Sequence, residues 1–301
     1  PMYRYAEYLH FPEIAAAALI ERARHPLPAS CISYGKDPHQ QAFFLRPPSP
    51  DGVERPLILF VHGGGWRRGH PKQFRFVGRY LARQGYPVLI PGYRLGPAAQ
   101  FDEQLADLRK GVESFLRTPW ARLHRPRRVI VIGQSAGGHL GAHLAYGSLS
   151  SCGTDEESPL DVLGFISVSG VLSFEPAGWR YLEGLIKNTA AGEQLRRRAD
   201  ARRAIESAHR FVPTLIVHGM EDRIVPPEVS ADFARRYEKR FGTTPATLYY
   251  PWAKHNELAL LFLEGRPRAT QLLMHEPQGA TEQGKGYDDT QPYPGDQQRT
   301  L

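Results

Sequence analysis

The 301-residue sequence predicts an α/β domain, with a mostly parallel central sheet covered by helices on both faces. Three observations carry this. Short, continuous apolar runs recur along the chain, segments with a 3.6-residue apolar period alternate with them, and glycines and prolines mark the junctions. A run such as Leu57-Ile58-Leu59-Phe60-Val61 is apolar at every position, so a strand built from it must be buried on both faces, as parallel strands are.

Taken in order, Pro12 to Arg24 has the pattern of an amphipathic helix, which defines an N-terminal helical segment over residues 1–30. The main domain is expected over residues 31–276. Its first strand is Gln41 to Arg46, stopped by Pro47, Pro48 and Pro50, and its second is Leu57 to Val61. Lys72 to Gln84 has helical spacing, and Pro87 to Ile90 is the next strand. Phe101, Leu105, Leu108, Val112, Phe115 and Leu116 fall on one face of a helix over Phe101 to Arg117. Strands follow at Val129–Ile132, Phe165–Val168, Thr214–Val217 and Thr247–Tyr250, with helices over Gly138–Tyr146 and Glu228–Arg240 between them. Residues 172–210 hold no sheet strand and are rich in Ala, Arg and Glu; short helices forming a small lid are expected there. From Pro277 to Leu301 the chain is dominated by Gln, Gly, Asp, Thr and Pro. Such a segment has too little apolar surface to offset its ordering entropy, and a disordered tail is expected.

Bulk properties exclude several function classes. No stretch approaches about 18 uninterrupted apolar residues, so a membrane-spanning helix is not expected. The N-terminus lacks the basic, apolar and small-residue order of a secretory signal, which leaves the cytoplasm as the default location. Cys31 and Cys152 form no metal-ligand cluster and require no disulfide. The net charge of +7 is spread over the chain, with local runs at Arg127-Arg128, Arg196-Arg197-Arg198 and Arg235-Arg236. No basic stripe interleaved with aromatics and no nucleic-acid motif accompanies it, so a solvated basic surface is expected rather than a nucleic-acid partner.

Chemistry enters at Gly133-Gln134-Ser135-Ala136-Gly137, a G-x-S-x-G pattern between an apolar strand and a helix. A nucleophile elbow needs that strand–turn–helix setting, because the sharp turn lifts the serine hydroxyl above the sheet end. His62-Gly63-Gly64-Gly65-Trp66 follows the strand ending at Val61, where glycine amides can turn toward a developing oxyanion. Neither the Lys-Ser/Thr ending of a phosphate loop nor a G-x-G-x-x-G follows it. A serine nucleophile needs a base, and the base an orienting acid. Glu221 and Asp222, just beyond the strand Thr214–Val217, are the candidate acids. His255 follows the last strand, His218 ends an earlier one, and His275 lies beside the tail and follows no strand. His139 and His143, four apart on a helix, lack the Glu of an H-E-x-x-H pattern and read as a packed pair, so no metal is expected.

Together, His62-Gly63-Gly64-Gly65-Trp66, Gly92-Tyr93-Arg94-Leu95 and Gly133-Gln134-Ser135-Ala136-Gly137-Gly138-His139-Leu140 resemble the carboxylesterase-like α/β-hydrolases. That group includes feruloyl and acetyl esterases, hormone-sensitive-lipase-like esterases and arylformamidases. The resemblance covers roughly Ile32 to Glu264. It implies the α/β-hydrolase fold and the chain order Ser135, Asp222, His255, with Asp222 chosen over Glu221 by the pattern His218-Gly219-x-x-Asp222-x-x-Val225-Pro226. It further implies oxyanion donors at Gly64, Gly65 and Ala136 and a substrate-pocket role for Trp66. Gln134 stands where the hormone-sensitive-lipase branch carries an acidic residue, Gly65 where formamidases carry an aromatic, and Asn256 where a Phe is common. The implied activity is that of a serine carboxylesterase on small acyl esters or lactones. It needs no cofactor and runs in a monomer or homodimer without nucleic-acid or membrane partners. The alternatives are an arylformamidase acting on N-formylkynurenine-like amides, a non-catalytic binding protein of the same fold, and transfer of the acyl group to an acceptor other than water.

Overall fold

The computed structural model describes residues 26–48, 54–149, 160–174 and 200–262, with Leu19, Arg22 and Ala23 ahead of them. Among the described residues, eight strands form one sheet: β1 (Ala29–Ser33), β2 (Gln41–Leu45), β3 (Leu57–Val61), β4 (Val88–Pro91), β5 (Arg128–Gln134), β6 (Asp161–Val168), β7 (Thr214–Gly219) and β8 (Ala246–Tyr250). Their spatial order is β1-β2-β4-β3-β5-β6-β7-β8. β2 runs antiparallel to both its neighbours, and every pair from β4 to β8 is parallel. The helices are α1 (Arg75–Arg83), α2 (Phe101–Leu116), α3 (Pro119–His124), α4 (Ala136–His143), α5 (Ala201–Glu206) and α6 (Glu228–Phe241). This is the mostly parallel sheet that the alternation of patterns predicts, in the α/β-hydrolase arrangement that the resemblance implies.

The continuous apolar runs are explained by the two faces of the sheet. Leu57, Leu59 and Val61 join one core cluster and Ile58 and Phe60 the other, so each successive residue of β3 is buried against a different layer of helices. α2 departs from a simple apolar stripe. Gln104 and Asp107 are buried beside Leu108, Val112 and Phe115, while Leu105 and Leu116 are only half-buried. Both polar groups are satisfied: Gln104 Nε2 donates to the carbonyls of Trp66 and Arg94, and Asp107 accepts from Arg94 and from Gln40 Nε2.

β1 has no counterpart among the expected strands and begins two residues before the expected start of the main domain. The helix expected over Lys72–Gln84 begins as a 3-10 turn, Pro71–Phe74, before α1. Leu19, Arg22 and Ala23 are helical, and the rest of the helix expected over Pro12–Arg24 lies outside the described residues. So do residues 175–199 of the expected lid, and the tail 277–301. α5 falls within the stretch expected to form the lid and buries Ala201, Ala204 and Ile205 in the larger core cluster.

Candidate active site

Ser135 sits between β5 and α4 with φ 55° and ψ −123°, a conformation most side chains avoid. The surrounding backbone imposes it. Ser135 N donates to Val168 O at 3.0 Å, and Ser135 O accepts from Gly138 N at 2.8 Å and Val171 N at 3.1 Å. The elbow is therefore tied to β6 on one side and to its own helix on the other. Close packing explains the glycines beside it: a Cβ on Gly137 would overlap the carbonyl oxygens of Val61 and His62, and one on Gly133 would overlap the carbonyl of Gly137.

The structure brings together three residues singled out in the sequence. His255 Nε2 lies 2.9 Å from Ser135 Oγ, and His255 Nδ1 lies 2.7 Å from Asp222 Oδ2. All three are buried. Asp222 lies in the turn after β7, where its Oδ1 accepts from the amides of Ile224 at 3.0 Å and Val225 at 2.8 Å. Burial would raise its proton affinity, but the His255 ring beside it and hydrogen bonds from His218 and His255 outweigh that effect. The carboxyl is held well below the usual carboxylate range. An ionised Asp222 can only accept, so His255 Nδ1 carries the proton and Nε2 is left to accept from the Ser135 hydroxyl. Glu221, the neighbouring acid, is exposed.

The glycine loop approaches the elbow directly. A Cβ on Gly63 would come within 3.0 Å of Ser135 Cβ and 2.8 Å of the Gln134 carbonyl. Gly64 and Gly65 have φ of 125° and 58°, and the loop is closed by Arg68 N donating to Gly64 O at 3.0 Å. A side chain on Gly64 would overlap the Arg68 carbonyl, so glycine is required there on two counts. Ala136 opens α4, where the first amides have no acceptor within their own helix.

Trp66 is buried, and its indole N–H donates to His139 Nδ1 at 3.1 Å. Its ring packs edge-on against His139 and at a tilt against Phe174. His139 and His143 pack together with Phe101. Sequence reasoning missed the support beneath the glycine loop. The His62 ring is stacked between Tyr93 and Phe74, Tyr93 Oη donates to His62 O, and Arg94 and Gln104 link the loop after β4 to α2. A signal was present in Gln104 and Asp107, two polar residues interrupting an apolar helix face.

A BD-FAE family model matches residues 45–237, well over half of the 301 residues. The chain belongs to the BD-FAE family. This BD-FAE chain is 24% identical over 247 residues to a probable isoprenylcysteine alpha-carbonyl methylesterase of Arabidopsis thaliana, which covers 76% of the chain and 51% of that protein. It thus spans about half the length of that curated relative. A kynurenine formamidase of Danio rerio is 26% identical over 142 residues, 47% of the BD-FAE chain and 46% of the formamidase. Among solved structures, esterase B of Lactobacillus rhamnosis inhibited by a tributyrin phosphonate superposes with a TM-score of 0.68 at 20% identity, over 89% of this chain and 90% of that one. That likeness shows the shared fold.

Proposed function

We propose that this BD-FAE protein is a serine carboxylesterase that cleaves small acyl esters or lactones through an acyl-enzyme. The observation that carries the reading is the unbroken hydrogen-bond path from Asp222 through His255 to a serine held on a strained elbow. In this mechanism Ser135 Oγ attacks the acyl carbonyl while His255 Nε2 takes its proton. The amides of Gly64, Gly65 and Ala136 receive the oxyanion, and the glycine loop's contact with Ser135 supports that assignment. His255 then protonates the leaving alcohol, and water, activated by the same nitrogen, releases the acid. Trp66, packed on His139 and Phe174, is assigned to the substrate pocket. The relatives named as esterases support the same reaction class.

The similarity to a kynurenine formamidase favours a second reading, in which the same groups cleave a formyl amide. One experiment addresses both. A p-nitrophenyl acyl series and N-formylkynurenine are given to the wild type and to Ser135→Ala. Ester turnover on short chains that vanishes in the variant is the expected result. Faster turnover of N-formylkynurenine than of any ester would favour the formamidase, and activity surviving in Ser135→Ala would overturn the assignment of the nucleophile.

A further inference from the structure

Asp222 Oδ2 faces two histidines, not one. Besides His255 at 2.7 Å, His218 Nε2 lies 3.2 Å away, on a side chain that is fully buried. The same Nε2 lies 2.8 Å from the carbonyl oxygen of Val225, an atom that can only accept, so the proton of His218 resides on Nε2. That N–H is shared between the Val225 carbonyl and the Asp222 carboxylate. The opposite nitrogen, Nδ1, lies 2.6 Å from Ser230 Oγ in the first turn of α6. That contact anchors the far side of the buried ring. The buried path therefore runs Ser230, His218, Asp222, His255, Ser135, with the carboxylate between two Ser–His arms. Only the Ser135 arm ends on an elbow. Ser230 is fully buried inside a helix, so its arm cannot meet a substrate.

We propose that His218 and Ser230 are positioning residues for the hydrolytic reaction. His218 fixes the Asp222 carboxylate in the orientation that receives His255, and Ser230 holds the His218 ring in the orientation in which its Nε2 reaches the carboxylate. The inference rests on the carboxylesterase reading above. Its physical basis is the allocation of acceptor sites. Oδ1 is occupied by two backbone amides and Oδ2 by two imidazole N–H groups, so the carboxylate has no free direction in which to rotate when His255 becomes an imidazolium.

The test compares His218→Phe, which keeps a ring but removes both nitrogens, with His218→Gln, which retains a donor for Asp222 and an acceptor for Ser230. The full chain is assayed with p-nitrophenyl acetate and by the rate at which a fluorophosphonate labels Ser135. The expected result is a loss of about tenfold to a hundredfold in kcat for His218→Phe, the worth of one hydrogen bond to a charged group, with KM changed less than about twofold. His218→Gln recovers most of that loss. The decisive readout is a double-mutant cycle with Asp222→Ala, in whose background His218→Phe costs less than about threefold because there is no carboxylate left to hold. Equal losses in the two backgrounds would mean that His218 only supports the fold, and would overturn the proposal. Should His218→Phe fail to fold, Ser230→Ala takes its place, with a loss of about threefold to tenfold in kcat that again disappears without Asp222. A wild type that turns over ester while the His218 and Ser230 variants keep full kcat overturns the positioning role alone. A wild type inert to both ester and fluorophosphonate overturns the hydrolase reading, and this inference with it.

Discussion

The Tyr93 hydroxyl donates to the carbonyl oxygen of His62 at 3.0 Å while the two rings stack 4.5 Å apart, which joins the loop after β4 to the base of the glycine loop. Both residues are fully buried. Tyr93→Phe keeps the stack but leaves a buried carbonyl without its donor, at a cost of about 1–3 kcal/mol. The expected outcome is a melting temperature lower by several degrees and a several-fold lower kcat, because the loop carrying Gly64 and Gly65 loses one of its ties. Thermal unfolding and steady-state kinetics on one short ester check both. An unchanged kcat would detach Tyr93 from the loop's function.

His62 should leave a signature in acid. Burial pushes its pKa from 6.5 down to about 4, a shift that the hydrogen bond to the Gly63 carbonyl only partly offsets. The unfolded chain therefore takes up this proton first. The stabilisation is complete above about pH 6.5, is lost as the pH falls toward 4, and changes no further below that. The total is on the order of 3 kcal/mol. Urea midpoints measured from pH 7 to pH 4 should fall less steeply for His62→Phe than for the wild type. Parallel curves would mean that the ring is not kept neutral by the fold.

Asp222→Asn replaces an obligate acceptor with a group that can present an N–H to His255, and so favours the wrong tautomer of the base. A loss on the order of a thousandfold to ten-thousandfold in kcat is expected, with KM nearly constant. In the wild type the His255 ring and the donor hydrogen bonds, acting against burial, keep the carboxyl ionised well below the usual range. The stability this contributes is present above the ordinary carboxylate pKa and lost only as the pH falls further, a window distinct from that of His62. An Asn variant retaining a tenth of wild-type kcat would argue for another acid.

Gly63→Ala probes the contact between the glycine loop and the elbow. The added methyl would press on the Gln134 carbonyl at 2.8 Å and on Ser135 Cβ at 3.0 Å, so backbone must shift on one side. Because misplacing reacting atoms by an ångström can cost about a hundredfold, kcat should fall by about tenfold to a hundredfold even where the variant folds. A folded variant with wild-type kcat would place the loop's catalytic contribution elsewhere.

Most strands of the sheet were legible because burial on both faces leaves no polar position to blur the pattern; β3 matches its expected bounds. β1 escaped because it is an edge strand with sequence Ala-Ser-Cys-Ile-Ser and largely exposed residues, and only its pairing with β2 makes it a strand. α3 is too short for a periodic signal. At the site, Ser135 and His255 could be named because each follows a strand in the chain order that the family resemblance implies, and Asp222 was separated from Glu221 only by the pattern around it. His218 and Ser230 could not, since a histidine ending a strand and a serine opening a helix carry no mark of the carboxylate that lies between them in space. The support from Tyr93 and Gln104 depends likewise on contacts between residues 31 and 38 positions apart.

The backbone bonds that fix the elbow have a consequence for how such a protein can change. Ser135 is aimed by Val168, Gly138 and Val171 through main-chain atoms alone. No side chain takes part in those bonds, so side chains that touch neither the glycine loop nor His255 can be exchanged without moving the backbone that carries the hydroxyl. Libraries confined to such positions should therefore leave the aim of Ser135 intact while the surroundings of the elbow vary.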